Sequence, residues 1–439
     1  MRIFRNMLLI LIAAILTGTA LMISVYMLPT EPIRRHLIQT PERLIPSSDK
    51  ASWLDFPLGT PYSVSDGGTD SIMLKTAAYK SPHSPAYSAM MNTRLDFTIA
   101  GEDLIRRDTA AGQSLRMAID DNNTGGEPQD YSRYWHGYLV YLKPLLTFLT
   151  VPAIRLLNFV IQFILLFMVI LKINDVLNKK YAFAFLITIL VIDPVAAALC
   201  FQYCGLYNIK LVTILIMLYK NETLKNNGKY YILFMLAGIL TSFIDLLSYP
   251  LATYGIPAVM YVLLNQDAKN LTLKIIKFGF AWIMGYFGMW FGKWLMAWGI
   301  TGYNTFANAV DYAFIHLSHN PVIAEANSSV LNAMNVWDYA NWKWAFERLN
   351  EYQGIWVFIT IFGVIMILFT IFMIRAVLKN KIRLSNITSL LILSVSPFVW
   401  YAAFEKHTII HYFMTYKIIA ITIFAFTSIA VICSDSHKV

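Results

Sequence analysis

Long apolar segments, bounded by polar or charged residues, recur along most of the chain. The first, 7–27, follows Arg2 and Arg5 and is long enough to span a membrane as an uncleaved helix, since about twenty apolar residues cross the hydrocarbon core. A polar segment, 28–149, comes next. Nine further apolar segments predict helices at 150–171, 181–200, 204–219, 230–246, 249–265, 276–298, 354–377, 386–404 and 415–433. The pattern predicts an all-α polytopic membrane protein with about ten transmembrane helices.

Lys and Arg residues concentrate in alternate connections between these helices. One set of connections carries sixteen of them and the other set carries three, leaving aside the long 28–149 segment. Because short cytoplasmic loops are rich in Lys and Arg, both termini are predicted to be cytoplasmic, in a multi-pass protein of the cell membrane. The predicted organisation is a first transmembrane helix in 1–27, a large outward-facing loop with interfacial helices in 28–149, helices two to seven in 150–298, a second outward loop in 299–353, and helices eight to ten in 354–439.

The composition supports a membrane protein. The chain has 439 residues, of which 57% are hydrophobic and 14% are charged, and its mean hydropathy is +0.54. Soluble domains carry about a quarter charged residues, so a cytosolic enzyme is excluded. The net charge of +9 reflects membrane topology, and no nucleic-acid partner is expected. The cysteines, Cys200, Cys204 and Cys433, form neither a disulfide framework nor a zinc spacing.

Carboxylates are the first candidate site residues on the outer side. In the segment 65–74, SDGGTDSIML, Gly67 and Gly68 are expected to form a tight turn between Asp66 and Asp70. The residues that follow are typical of a helix with Asp70 near its first turn, where a carboxylate suits the helix dipole. The two aspartates are therefore candidates for catalysis, and the alternative is a pair of helix caps.

A second cluster, YSRYWHGYLVYLKPLLTFL at 131–149, combines aromatic residues with Arg133, His136 and Lys143. Such a stretch can lie along the membrane interface with its aromatic rings at the headgroup level and its cations toward lipid phosphates. The alternative is an aromatic anchor without a binding role.

Two later segments complete the outward-facing set. In TSFIDLLSYPL, Asp245 is expected at the outer end of one helix, and Tyr249 lies in the turn that leads into the next helix. In FEKHTIIHYFMTYK, His407 and His411 are spaced to share one helix face, with Lys417 just inside the last helix. Two histidines are too few for a catalytic zinc site, so interfacial hydrogen bonding is the alternative for the pair. No metal site is assigned.

The chemistry expected of these groups follows from the side on which they gather. The chain has no P-loop, no dinucleotide-binding glycine motif and no nucleophile elbow, and ATP is absent outside the cell. A sugar linked to a lipid phosphate is an energy-rich donor at that surface. Its transfer needs a carboxylate to accept a proton from the acceptor hydroxyl and cations to stabilise the departing phosphate.

The layout resembles the GT-C superfamily of integral-membrane glycosyltransferases, and within it a bacterial multispan branch. The stretches that carry the resemblance are TDSIML, YSRYWHGY, FIDLLSYPL and HTIIHYFMTYK. The resemblance implies a polyprenyl-phosphate sugar donor, a glycan or lipid acceptor and contact with membrane lipid. It implies Asp70, or Asp66, as the catalytic carboxylate. The substrate and phosphate side would be formed by Arg133, His136, Asp245, Tyr249, His407, His411 and Lys417.

The chain departs from the superfamily pattern in its acidic motif. Asp66-Gly-Gly-Thr-Asp70 replaces the commoner Asp-x-Asp, so no cofactor is assigned and a divalent cation is left open. The alternative functions are a transporter or flippase, a polymerase, ligase or acyltransferase of lipid-linked saccharides, and a membrane scaffold. A transporter would need charges along a path through the bundle, whereas here the chief charges away from the outer mouth are Lys210 and Lys293.

Overall fold

The computed structural model describes residues 2–38, 67–97, 107–123, 125–317, 383–404, 407–408 and 411–435. These residues are mostly helical, which confirms the predicted all-α class. The sheet in this part of the chain is a two-stranded antiparallel pair, β1 (Arg94–Asp96) and β2 (Glu127–Gln129).

The helices divide into an N-terminal group, which is polar apart from α6, and an apolar group. The first comprises α2 (Thr30–Ile38), α3 (Gly67–Ala78), α4 (Pro85–Met91), α5 (Arg107–Ile119) and α6 (Leu139–Phe148). The second comprises α1 (Arg2–Tyr26), α7 (Val151–Val176), α8 (Lys179–Ile192), α9 (Pro194–Leu199), α10 (Phe201–Lys225), α11 (Lys229–Ile244), α12 (Ala252–Leu264), α13 (Leu271–Thr301), α14 (Thr305–Leu317), α15 (Leu384–Ala403), α16 (Tyr412–Thr415) and α17 (Ala420–Asp435).

Six helices among the described residues are long and apolar enough to cross a membrane. They are α1, α7, α10, α13, α15 and the stretch Tyr416–Ser434, which contains a short 3₁₀ turn followed by α17. The apolar helices α11 and α12, which fall in the predicted spans 230–246 and 249–265, have only 16 and 13 residues. The predicted span 354–377 lies outside the described residues. The count of ten spans therefore stays a prediction.

The predicted span 181–200 is two helices rather than one. Proline disfavours helical backbone in the residue before it, and Asp193, which precedes Pro194, has a left-handed φ of 59°. The Asp193 carboxylate then accepts a hydrogen bond from the Ala196 amide at 3.0 Å and caps α9. By contrast, the predicted span 204–219 lies inside α10, in the part that precedes a kink at Lys220, where φ is −124° and ψ is 19°.

The polar helices form a layer against one end of the apolar bundle. The Tyr26 hydroxyl at the end of α1 donates to Asn92 at 3.0 Å, and the Gly137 amide donates to the Phe243 carbonyl near the end of α11 at 2.7 Å. One cluster of buried apolar side chains fills the bundle, and a second joins the layer to α1, α11 and α13. We call residues 67–148 the end layer, and its position fixes which ends of the bundle helices face the candidate site.

Two glycines set the closest helix contact in the bundle. A side-chain carbon on Gly238 of α11 would lie 2.2 Å from the Trp282 carbonyl oxygen, and one on Gly285 of α13 would lie 2.2 Å from the Met235 carbonyl oxygen. Small residues let two helix backbones approach in this way, and the contact then depends on dispersion forces between close backbones.

Candidate functional site

Asp70 lies where the end layer meets the bundle. Its side chain is 1% exposed. One carboxylate oxygen accepts a hydrogen bond from Arg155 Nη2 of α7 at 2.9 Å, and the other accepts one from the Phe201 amide at the start of α10, also at 2.9 Å. The Gln202 amide is a third donor. Asp70 is in the first turn of α3, as predicted, yet it caps a different helix 131 residues further along the chain.

Burial raises the pKa of Asp70, and the charge and hydrogen bond of Arg155 oppose that rise. Arg155 was not among the predicted site residues, although an Arg inside an apolar segment is costly and points to a buried partner. The predicted tight turn at Gly67 and Gly68 is not observed, because α3 begins at Gly67 itself. Asp66 lies outside the described residues.

The segment 131–138 closes the end layer over α11 and α13. The Trp135 indole donates to the Met289 carbonyl at 2.7 Å, and the Trp294 indole donates to the Arg133 carbonyl at 3.0 Å. A side-chain carbon on Gly137 would lie 2.4 Å from the Phe243 carbonyl oxygen, so only glycine fits there. This aromatic segment is therefore packed onto the bundle by side chains from both partners.

His136 is fully buried in that segment. Its Nδ1 lies 2.8 Å from the Tyr138 hydroxyl and its Nε2 lies 3.1 Å from the Tyr131 carbonyl oxygen. Burial, followed by the positive charges of Lys293 and Arg94, lowers the pKa of His136 well below its usual value. The ring is consequently neutral at physiological pH.

Arg133 stacks on the aromatic rings of the same segment. Its guanidinium carbon lies 4.3 Å from the Tyr131 ring centroid, and its side chain hydrogen-bonds to the Tyr134 hydroxyl. Burial raises the pKa of Tyr134, with a contribution from the Asp245 carboxylate. Arg133 and Asp245, both predicted site residues, thus both act on Tyr134, which is partly buried.

Asp245 closes the turn between α11 and α12, as predicted. It is 2% exposed, and its carboxylate accepts hydrogen bonds from the Ser248 amide at 3.0 and 3.1 Å and from the Ser248 hydroxyl. Within the turn Leu247 has a left-handed φ of 68°, and its carbonyl oxygen lies 2.7 Å from His407 Nε2. The predicted segments TSFIDLLSYPL and FEKHTIIHYFMTYK are therefore in contact.

His407 and His411 share one face, as their spacing predicts. The His411 amide donates to the His407 carbonyl at 2.9 Å, and the two ring centroids are 4.7 Å apart. Among the described residues no group of three His, Cys, Asp or Glu side chains is arranged to hold a metal ion.

Lys417 and Tyr249 both contact the first turn of α10. The Lys417 ammonium donates to the Ile192 carbonyl at 2.7 Å and to the Tyr416 hydroxyl at 3.1 Å, and it lies 4.8 Å from the Tyr203 ring centroid. The Tyr249 hydroxyl donates to the Tyr203 carbonyl at 3.0 Å. Both side chains are at most 1% exposed.

Four buried cations at this end of the bundle cap helix C-termini. Lys417 binds the last carbonyl of α8, Lys293 binds the Ala89 and Met90 carbonyls at the end of α4, and Lys143 binds the Ala77 carbonyl of α3. Arg34 binds carbonyls at the ends of α3 and α5. Such positions pair a cation with the negative end of the helix dipole. Burial lowers the pKa of Lys143 to about 8.

Three predicted site residues, Asp70, Tyr249 and Lys417, contact the first turn of α10. Asp245 and His407 lie at the turn after α11, where His407 contacts the Leu247 carbonyl. Arg133 and His136 lie against Tyr131 in the aromatic segment. Two described cavities, of about 450 and 590 Å³, lie elsewhere, lined by residues such as Lys225 and Phe278 in one case and Lys180 and Ser434 in the other.

Comparison of the chain with family models, curated proteins and solved structures finds no match. The resemblance to the GT-C superfamily consequently rests on the sequence stretches described above and stays a prediction.

Proposed function

We propose that the chain is a membrane glycosyltransferase, which moves a sugar from a polyprenyl-phosphate-linked donor to a cell-surface glycan or lipid acceptor on the outer face of the membrane. The observation that supports this proposal is that ionisable side chains distant in sequence lie in one region of the fold. Asp70, Asp245 and the pair His407 and Lys417 come from three distant parts of the sequence and are buried at one end of the bundle.

Charge distribution supports the outward orientation of that end. The opposite end carries Lys172, Lys180, Lys225, Lys274 and Arg383, at the ends of α7 and α10 and the starts of α8, α13 and α15. Positive charge of this kind is typical of the cytoplasmic side. The end layer would then face the cell exterior, where lipid-linked saccharides are consumed.

In the proposed reaction the acceptor hydroxyl gives its proton to Asp70 as its oxygen bonds to the anomeric carbon of the sugar. The bond from that carbon to the phosphate oxygen breaks, and the phosphate leaves with the electron pair. Three of about four lone-pair positions on the Asp70 carboxylate are occupied, which leaves one for a proton. The raised pKa of Asp70 suits a general base.

The reaction is tested with purified protein, a polyprenyl-phosphate sugar and candidate acceptors. Asp70→Asn is expected to abolish transfer, whereas Asp120→Asn, which changes an exposed carboxylate of the same layer, should transfer at the parent rate. Because Asp70→Asn also removes the carboxylate charge that pairs with Arg155, the double variant Asp70→Asn with Arg155→Met separates chemistry from folding. It removes both buried charges and is expected to unfold near the parent temperature while staying inactive.

Transfer by the folded double variant at the parent rate would exclude Asp70 as the base. If the protein instead moves the lipid across the membrane of vesicles without changing the lipid's mass, it is a flippase, which is one of the alternative functions. Growth of the glycan by many units per acceptor would identify a polymerase.

A further inference from the structure

Lys210 differs from the other buried lysines at this end of the bundle. It lies on α10, nine residues after Phe201 and so about 13 Å along the helix axis, and its exposed fraction is 0%. Whereas Lys143, Lys293 and Lys417 each donate to backbone carbonyls, the Lys210 ammonium makes no hydrogen bond in the part of the chain that the structure describes. It caps no helix.

Aromatic rings enclose the Lys210 ammonium. It lies 3.9 Å from the centroid of the Tyr207 ring and 5.5 Å from that of Tyr249. The Tyr207 hydroxyl also makes no hydrogen bond to any described residue. Two buried donors on neighbouring turns of α10 thus lack an acceptor.

The like charge of Lys417 acts on Lys210. The two lysines flank a tyrosine pair, since Lys417 lies over the Tyr203 ring, Lys210 over the Tyr249 ring, and the two ring centroids are 5.8 Å apart. A nearby carboxylate, Asp193, acts on Lys417 and on the Tyr207 hydroxyl, but it accepts no hydrogen bond from Lys210.

The surroundings of Lys210 and Tyr207 are therefore short of hydrogen-bond acceptors and rich in positive charge. An isolated buried ammonium is costly, and aromatic faces offset only part of that cost. An oxyanion supplies both a counter-charge and several acceptor lone pairs, and its charge-assisted hydrogen bonds are strong where water is excluded. A phosphoryl group therefore matches what Lys210 and Tyr207 lack.

We propose that Lys210, with the Tyr207 hydroxyl and the neighbouring Lys417 ammonium, forms a buried binding site for a phosphoryl anion inside the bundle. The identity of that anion as the phosphate of a lipid carrier rests on the proposed function. Tyr203, Tyr207 and Lys210 are spaced four and three residues apart, so one face of α10 connects the capped N-terminus to this site.

The test uses the full chain in lipid nanodiscs and measures the unfolding temperature and binding by titration. The probes are polyprenyl phosphate, inorganic phosphate and the uncharged polyprenol. Lys210→Met keeps the length of the side chain and removes its charge. Lys293→Met is the matched control, since Lys293 is a buried lysine of the same end that binds the α4 carbonyls.

We expect polyprenyl phosphate to raise the unfolding temperature of the parent and Lys210→Met to raise the Kd for it by about tenfold or more. Without ligand, Lys210→Met should unfold at or above the parent temperature, because it removes a charge without an acceptor. Lys293→Met should unfold at a lower temperature, yet bind polyprenyl phosphate with the parent Kd. Stabilisation by inorganic phosphate as well would identify free phosphate as a sufficient ligand.

Three results would overturn the site. They are an unchanged Kd in Lys210→Met, equal stabilisation of the parent by uncharged polyprenol, and a ligand-free Lys210→Met protein as unstable as Lys293→Met. Failure of the proposed function is distinct, because binding needs no acceptor and no sugar. A protein that binds polyprenyl phosphate through Lys210 but transfers nothing keeps the site and loses the glycosyltransferase proposal.

Discussion

Two buried charged groups, Asp70 of α3 and Lys210 of α10, have opposite surroundings. Asp70 has a guanidinium partner and two amide donors, whereas Lys210 has two aromatic faces and no acceptor among the described residues. A buried charge with a full set of partners is held in place by them. Removing one member of the ion pair leaves the other charge buried without compensation. A charge without an acceptor contributes little to the folded state by itself and is open to a ligand.

The largest effect is expected for Arg155→Met, because it strands the Asp70 carboxylate in a site with 1% exposure. We expect the free energy of unfolding to fall by about 3–5 kcal/mol, the usual result of removing one partner of a buried ion pair. Unfolding of the purified protein in a denaturing detergent series measures this. The control is Lys172→Met, which breaks the more exposed Lys172–Asp175 pair. An equally small loss in both variants would show that the Asp70 pair is not buried in solution.

Asp245→Asn should have a smaller effect. The Asp245 carboxylate is held by neutral donors of its own turn, and an asparagine retains one acceptor oxygen for the Ser248 amide. We expect a loss of about 1–2 kcal/mol in the free energy of unfolding, measured in the same series. Asp267→Asn, at a carboxylate with 93% exposure, is the control and should change little. If Asp245→Asn were as costly as Arg155→Met, the turn would depend on charge rather than on hydrogen bonding.

The smallest effect concerns pH and His136. Its pKa in the folded protein lies well below 6.5, so the unfolded chain takes up the proton first as pH falls. The stability that neutral His136 contributes is present above about pH 6.5 and is lost below it, by up to about 1.4 kcal/mol per pH unit.

Unfolding temperatures between pH 7.5 and 5.5 measure this loss. His136→Asn, which tolerates the left-handed φ of 55°, should be less stable at pH 7.5 but lose less on acidification. His83→Asn, at an exposed histidine, should keep the parent slope. Equal slopes for the parent and His136→Asn would show that another group carries the acid sensitivity.

Local features of the fold could be predicted from the sequence. The position of Asp70 in a first helical turn, the shared face of His407 and His411, and the turn after Asp245 all depend on spacing within about ten residues. The partners of the charges could not be predicted in the same way. Arg155 meets Asp70 across 85 residues, and such pairings depend on how helices pack, which hydrophobic periodicity does not encode.

The helix count depends on similar details. A continuous apolar run predicted one span at 181–200, but Asp193 and Pro194 divide it, because the local preference of proline outweighs the apolar pattern. Lys210 was seen in the sequence only as an exception to the charge distribution. Its tyrosine neighbours at positions three and seven residues earlier were the available indication of a buried face.

The hydrogen bond from Lys417 to the Ile192 carbonyl can form only late in biosynthesis, after Lys417 has been added to the chain. The two residues are 225 positions apart, so at a translation rate of about 5–20 residues per second the ribosome reaches Lys417 roughly 10–45 seconds after Ile192. The C-terminus of α8 is thus synthesised before its cap has been made. We expect nascent chains arrested ahead of Lys417 to leave the buried Cys200 open to alkylation that the finished protein resists.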